Sequence, residues 1–249
     1  MGTIVDMHCH LDFLSDAAEF ARAAHERGMT FFSNTVTPDG FERVRDLLAD
    51  CPNVRVGVGL HPWWVHDGRC GDEDAARVCE LVGETRFVGE VGLDFGKRCA
   101  LSREAQVEAF SSIARACAQH GGKLLSVHAV RSADDVLDVL EETECLADNQ
   151  VIFHWYSDTS EALWRAVRAG CYFSVNLRML STRRGREYAR VLPADRLLLE
   201  TDLPPESDSA FALDAWEADI REALAQLESI RGEAMASRLA ETSARLLNA

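Results

Sequence analysis

Ile4-Val5-Asp6-Met7-His8-Cys9-His10-Leu11-Asp12 is the stretch on which the reading of this chain turns. The apolar run reads as a first strand, and it ends in His-x-His. Side chains alternate along a strand, so His8 and His10 are expected to point the same way. Two imidazoles side by side where a strand runs out can clamp a metal ion. Cys9 lies between them and is expected on the opposite face, as a packing residue rather than a ligand.

Outward from this stretch, short apolar runs alternate with longer helical patterns. With the first strand at 3–8, strand candidates recur at 31–35, 55–60, 87–91, 123–128, 150–154, 171–175 and 197–201. Helices are expected over 15–27, 102–120, 132–142, 158–169, 211–230 and 233–247. The first starts at Ser15, a capping residue, and stops before Gly28. Strand then helix, repeated over 249 residues, is the size and rhythm of an α/β chain folded as one (β/α)8 TIM barrel across 1–249. A doubly wound open sheet is the competing architecture. The barrel is preferred because His8, His10, His61, Glu90, His128, His154 and Asp202 all fall at or just past strand ends. In a barrel those ends surround one mouth; in an open sheet they spread along an edge. The turn-rich 204–209 stretch reads as a loop after the last strand.

Composition narrows the classes. Hydrophobic residues make up 47% of the chain, ample for one core. No apolar run approaches the ~20 residues that cross a bilayer. No basic-then-apolar leader is visible, so a cytoplasmic protein without membrane attachment is expected. The eight cysteines are scattered and form no Cys-x-x-Cys, which reads as free thiols in a reducing compartment. A net charge of −15 argues against wrapping duplex DNA. It leaves a nuclease open, because metal ions in a pocket add local positive charge.

The candidate metal ligands are His8, His10, Glu90, His128, His154 and Asp202. Four imidazoles and two carboxylates suffice for two ions, and the two oxygens of Glu90 could bridge them. Such a pair can neutralise a phosphoryl group and activate water. Asp202 could ligate one ion and take a proton from the attacking water. His25 and His120, near helix ends, and His66, in a loop, are assigned no role.

Further stretches recur in a fixed order: Gly59-Leu60-His61-Pro62, Gly89-Glu90-Val91-Gly92-Leu93-Asp94, the strand ending at His128, Phe153-His154 and Glu200-Thr201-Asp202-Leu203-Pro204. With the opening His-Cys-His they resemble the TatD family of metal-dependent deoxyribonucleases, within the amidohydrolase-like β/α barrels. The resemblance implies that His8, His10, Glu90 and Asp202 hold one divalent ion, and Glu90, His128 and His154 a second. It places His61 beside the site, in contact with a substrate phosphate or a bound water. It implies cleavage of DNA ends or single strands, usually with Mg2+ or Mn2+. The histidine-rich set by itself points to Zn2+ or Mn2+, so the ion stays open. The chain departs from the family at Trp155-Tyr156-Ser157-Asp158, where Cys-Phe-Ser-Gly is usual, and at Phe95, where Tyr is usual. These departures, with Val175-Asn176-Leu177-Arg178-Met179-Leu180, look closer to the TatD-like nucleases of Qat antiphage defence operons. That branch implies invading DNA as substrate and companion proteins as partners.

Arg131 and Arg178 follow strands five and seven and are the candidate phosphate contacts. Arg183, Arg184 and Arg186 form a basic cluster that reads either as a phosphate-tracking rim or as a solvated helix start. Trp63, Trp64, Trp155 and Tyr156 flank site histidines and either stack on bases or pack the loop layer. Trp155 is the candidate base contact. The expected function is a metal-dependent DNase with Glu90, Asp202 and His61 at the reacting centre. Two rivals stand beside it: another hydrolase on this scaffold, cutting a small phosphoester, amide or lactone, and a partner-activated subunit.

Overall fold

A computed structural model of the chain describes residues 4–206 and 211–248. Thr3 of the first expected strand and residues 207–209 of the expected loop lie outside the described residues. The strands are β1 (Ile4–Cys9), β2 (Met29–Asn34), β3 (Val54–Gly57), β4 (Phe87–Asp94), β5 (Leu124–Val130), β6 (Gln150–His154), β7 (Tyr172–Val175) and β8 (Leu197–Leu199). They pair in parallel, in the orders β1-β2-β3 and β4-β5-β6-β7-β8.

Backbone hydrogen bonds join the two sheets along both seams. The Val58 N–H donates to the Phe87 carbonyl at 3.0 Å, and the Gly89 N–H donates to the Val58 carbonyl at 2.9 Å. On the other side the Asp202 N–H donates to the His8 carbonyl at 2.9 Å, and the His10 N–H to the Leu203 carbonyl at 2.8 Å. The fold is of the TIM-barrel type, and the open sheet is excluded.

The helices are α1 (Ala17–Glu26), α2 (Pro38–Leu47), α3 (Pro62–His66), α4 (Asp72–Val82), α5 (Arg103–His120), α6 (Ala133–Glu142), α7 (Ser160–Arg168), α8 (Leu177–Leu180), α9 (Arg183–Val191), α10 (Leu213–Arg231) and α11 (Ala236–Asn248). None is long and apolar enough to cross a membrane among the described residues. Val5, Met7, Phe32, Leu124, Ile152, Tyr172 and Leu198 cluster with Leu246 and Leu247 of α11. A larger apolar cluster, including Phe31, Phe110, Phe153 and Trp216, is built from strands and helices together. Each such side chain contributes about 1.5–3 kcal/mol on burial.

Several boundaries differ from the sequence reading. β3 stops at Gly57 rather than at 60, because the chain then changes partner: Leu60 N–H donates to the Glu90 carbonyl of β4 at 3.0 Å. β4 continues to Asp94 rather than 91, which carries that carboxylate toward the mouth. Ser15 does not cap α1; its N-cap is Asp16, without a side-chain cap bond. α2, α3, α4, α8 and α9 are absent from the helices read in the sequence, although a helix start was one reading of the Arg183, Arg184 and Arg186 cluster. α2 nonetheless carries a start signal, since the Thr37 side chain accepts from Gly40 N–H and Pro38 occupies the first turn.

Gly59 is required by a close approach at the β3–β4 seam. A Cβ there would sit 1.8 Å from the Thr35 carbonyl oxygen and 2.5 Å from the Glu90 nitrogen. Gly59→Ala is therefore expected to destabilise the fold by about 1–3 kcal/mol, as overpacking does, read by denaturant unfolding. An unchanged unfolding midpoint would show that the seam can widen freely.

Candidate active site

Two local irregularities set the site. The β1 register shifts between Asp6 and Cys9, and the β4 register shifts between Val88 and Val91. Such irregularities re-aim side chains. They bracket His8 and Glu90, which meet with His8 Nε2 at 3.4 Å from Glu90 Oε2. Cys9 packs away from the site and offers its thiol to the Phe32 carbonyl. Asp202 adopts φ 60°, a left-handed conformation that costs a non-glycine residue about 1–3 kcal/mol. Its N–H bond to the His8 carbonyl holds it there.

Glu90 is the hub, and five imidazoles surround it. Its Oε1 lies 2.8 Å from His128 Nδ1, 2.8 Å from His154 Nε2 and 3.1 Å from His61 Nε2. Its Oε2 faces His8 Nε2 and His10 Nε2, the latter at 3.5 Å. Asp202 Oδ1 closes the second group, 3.2 Å from His10 Nε2 and 3.7 Å from His8 Nε2. Among the described residues, three sets have ligand atoms close enough to share an ion: His8-His10-Glu90, His8-His154-Asp202 and His61-Glu90-His128.

Hydrogen bonds on the far side of each ring decide what the near nitrogen can do. His10 Nδ1–H donates to the Asn34 carbonyl at 2.8 Å, so Nε2 presents a lone pair to two carboxylate oxygens. That arrangement is repulsive unless a proton or metal ion lies between them. His8 Nδ1 lies 2.6 Å from Ser126 Oγ, while Nε2 is buried without a hydrogen-bond partner among the described residues. An orphaned imidazole nitrogen beside two carboxylates fits a divalent ion. His61 is different. Its Nδ1 accepts from Trp63 N–H at 3.1 Å, so Nε2 carries the proton and faces Glu90 Oε1 at 3.1 Å.

The charge states follow. Burial alone pushes His10 down, but the Asp202 hydrogen bond and the Glu90 and Asp202 charges outweigh it and raise the imidazole to about 9. His154 and His128 are also raised against burial, His154 by Glu90 and Glu200, His128 by its bonds to Asp94 and Glu90. Burial lowers His61 to about 4, which keeps it neutral. Burial opposes ionisation of Glu90, yet the surrounding imidazoles hold its carboxyl well below the usual range.

His10, His61, Glu90, His128, His154 and Asp202 form the floor of a cleft of about 500 Å3, walled by Phe13, Trp63, Trp64, Trp155, Arg178 and Pro205. A family model described as TatD related DNase matches residues 5–248. The chain belongs to the TatD family. It is 27% identical over 263 residues to an Escherichia coli K12 protein named uncharacterized metal-dependent hydrolase YcfH, covering 98% of this chain and 96% of that one. It is 33% identical over 159 residues to the 3'-5' ssDNA/RNA exonuclease TatD of Cronobacter sakazakii, covering 59% of this chain and 56% of the relative. The crystal structure of the TatD homologue YjjV from E. coli K12 superposes with a TM-score of 0.81 at 21% identity, covering 99% of this chain and 98% of that one. The chain is thus a TatD-family hydrolase with a His/Glu/Asp cluster able to bind metal.

The expected ligands of this TatD chain, His8, His10, Glu90, His128, His154 and Asp202, converge, and His61 joins them. The grouping is less divided than the resemblance implied, because His154 reaches both groups: its Nε2 is 3.3 Å from His128 Nδ1, and it also clusters with His8 and Asp202. Trp155 and Arg178 line the cleft; Arg131 does not, and is exposed just past β5 with φ 54°. Tyr156 is buried against Phe153, Phe173 and Tyr188, so its ring packs the core. Arg183, Arg184 and Arg186 occupy α9 outside the cleft lining, with Arg184 donating to the Ser157 carbonyl at 3.2 Å. The eight cysteines are free.

Four supporting residues carry no role in the sequence reading. Asp94 Oδ2 accepts from Trp63 Nε1 at 2.6 Å and lies 3.2 Å from His128 Nε2, fixing both rings. Ser126 orients His8. Glu200 is fully buried, 3.8 Å from His154 Nδ1, and accepts from Ser174 and from Asn176 Nδ2. Asp6 accepts from Thr201 N–H at 3.0 Å, Thr201 Oγ1 at 2.6 Å and Trp216 Nε1 at 2.8 Å, tying β1 to the residues leading into Asp202. Asp94 and Glu200 stand inside recognisable motifs; Ser126 and Asp6 have no such signal of a role.

Protons and metal ions compete for these nitrogens. In the metal-free chain His10 keeps its proton up to about pH 9, so ion uptake at neutral pH must expel protons. Calorimetric titration of chelator-treated protein with Mn2+ or Zn2+ in two buffers of different ionisation enthalpy is expected to show proton release. Buffer-independent heats would contradict the assignment.

The same groups set the pH dependence of metal-free stability. His10, raised from its ordinary 6.5, stabilises the fold fully below 6.5 and loses that contribution as pH climbs through about 9. His61, lowered to about 4, costs stability as pH falls below 6.5. The thermal midpoint of metal-free protein is expected to fall between pH 6.5 and about 9 as the His10 contribution is lost. A midpoint that climbs steadily from pH 6.5 to 9 would refute the His10 environment.

Proposed function

We propose that the chain is a metal-dependent deoxyribonuclease that hydrolyses phosphodiester bonds at DNA ends or in single strands, with two divalent ions sharing Glu90. The observation that carries this is the division of Glu90: Oε1 faces one set of imidazoles and Oε2 another. His8, His10 and Asp202 would hold one ion with Oε2, and His128 and His154 the other with Oε1. Mg2+, Mn2+ or Zn2+ bound there supplies charge neutralisation for a phosphoryl group and lowers the pKa of water.

The protein's own groups divide the remaining work. Glu90 is only 3% exposed and enclosed by imidazoles, so it would hold the ions rather than act as base. The Asp202 side chain is 17% exposed and opens onto the cleft, so it accepts the proton from the attacking water. His61 is neutral and carries a proton on Nε2, a donor available to a phosphoryl oxygen once substrate enters. The tryptophans and Arg178 in the cleft wall suit a nucleotide better than a small lactone or amide. Relatives named as nucleases support the same reading.

We further place the chain with the nucleases of Qat antiphage operons. The placement is carried by Trp155-Tyr156-Ser157-Asp158, Phe95 and the stretch from Val175 to Leu180. It makes invading DNA the substrate and companion proteins the partners, in the cytoplasm.

Purified chain is to be assayed on 3′- and 5′-labelled DNA with Mg2+, Mn2+ and Zn2+, beside a panel of small phosphoesters, lactones and amides. DNA is expected to be the preferred substrate. Glu90→Gln and Asp202→Asn are each expected to reduce cleavage by at least about 10²–10³-fold. Undiminished cleavage by either variant would overturn the mechanism, and hydrolysis confined to lactones or amides would overturn the substrate class.

A further inference from the structure

We propose that two tryptophan–arginine pairs of the rim grip the bases flanking the scissile phosphate. The inference rests on the phosphodiesterase reading above and adds its substrate geometry.

Trp155 follows β6 and Arg178 follows β7, with the guanidinium carbon 5.4 Å from the indole centroid. Trp63 follows β3 and Arg98 follows β4, and here the separation is 5.1 Å. The first pair stands on the chain that leaves β6 and β7, the second on the chain that leaves β3 and β4. Both indoles line the cleft that holds Glu90, His128 and Asp202. Trp63 lies edge-on to His61 at 5.1 Å and 6.2 Å from His128, whereas Trp155 is the residue after His154. Both indoles therefore stand beside the imidazoles that surround Glu90 Oε1.

A nucleotide offers a flat π-face and an anion a few ångströms away. An indole backed by a guanidinium matches both, by stacking and by charge. A base inside a duplex has its faces covered by neighbours and presents only edges. Two such units therefore need the flanking bases unpaired, with their faces free to stack. The walls are preset. Trp63 is locked by its bond to Asp94, and Arg69 over Trp64, 3.8 Å from that ring's centroid, extends the same wall. Trp155 is held at φ 40°. In a chain of net charge −15, Arg98 and Arg178 supply positive charge where the overall field gives none.

The test uses the full chain with its divalent ion and a set of single-stranded oligonucleotides. Each carries one stable abasic residue, stepped through the positions around the cleaved linkage. Wild type is expected to lose about tenfold in kcat/KM when the abasic residue occupies either flanking position. Trp155→Ala is expected to abolish the penalty at one of these positions and keep it at the other, with metal content retained; Trp155→Phe is expected to restore it. Equal cleavage of base-bearing and abasic strands by wild type, or a penalty that survives Trp155→Ala at both positions, would overturn the grip alone. Failure of wild type to cleave any oligonucleotide with any of the ions would instead remove the phosphodiesterase reading, and this inference with it.

Discussion

The Glu90 carboxylate facing five imidazoles is the constraint on which the rest of the site depends. A buried anion needs compensation, and here it comes from His8, His10, His61, His128 and His154 together. Those residues arrive from β1, the β3 loop, β5 and β6, so Glu90 can be placed only after the barrel has formed. The seam at Gly59 brings the Glu90 backbone against Thr35, and the register shift in β4 frames the same residue. Fold and site are thus coupled at one position.

The second level of order lies behind the imidazoles. Asn34 fixes the tautomer of His10, Ser126 sits on His8, and Trp63 N–H fixes His61 in the opposite sense. Rings of the same chemical type therefore divide into those that offer a lone pair and one that offers a proton. Asp94 couples this shell to the cleft wall, because one oxygen meets both His128 and Trp63. A substrate pressing on that wall is pressing on a support of the candidate metal centre.

Much of this was legible in advance, for reasons that can be stated residue by residue. His8 and His10 share a face because strand geometry has a period of two, a local property. The repeated strand-then-helix pattern gives the fold, since each strand candidate reached the barrel with boundaries off by only a few residues. What was missed is nonlocal or context-dependent. Tyr156 reads like Trp155 in sequence, yet the turn after β6 sends one ring to the cleft and the other to the core. Arg131 and Arg178 hold similar places after their strands, but only Arg178 reaches the cleft wall.

The barrel and the inventory of candidate ligands are readable from the chain alone, because apolar periodicity and residue chemistry are local and survive in one dimension. The tertiary structure alone decided how that inventory is divided. Which oxygen of Glu90 faces which ring, which imidazole keeps a proton, and which tryptophan meets which arginine all depend on contacts between residues far apart in the chain. Their distances are fixed only when both seams of the barrel close, and no pattern along the backbone encodes them.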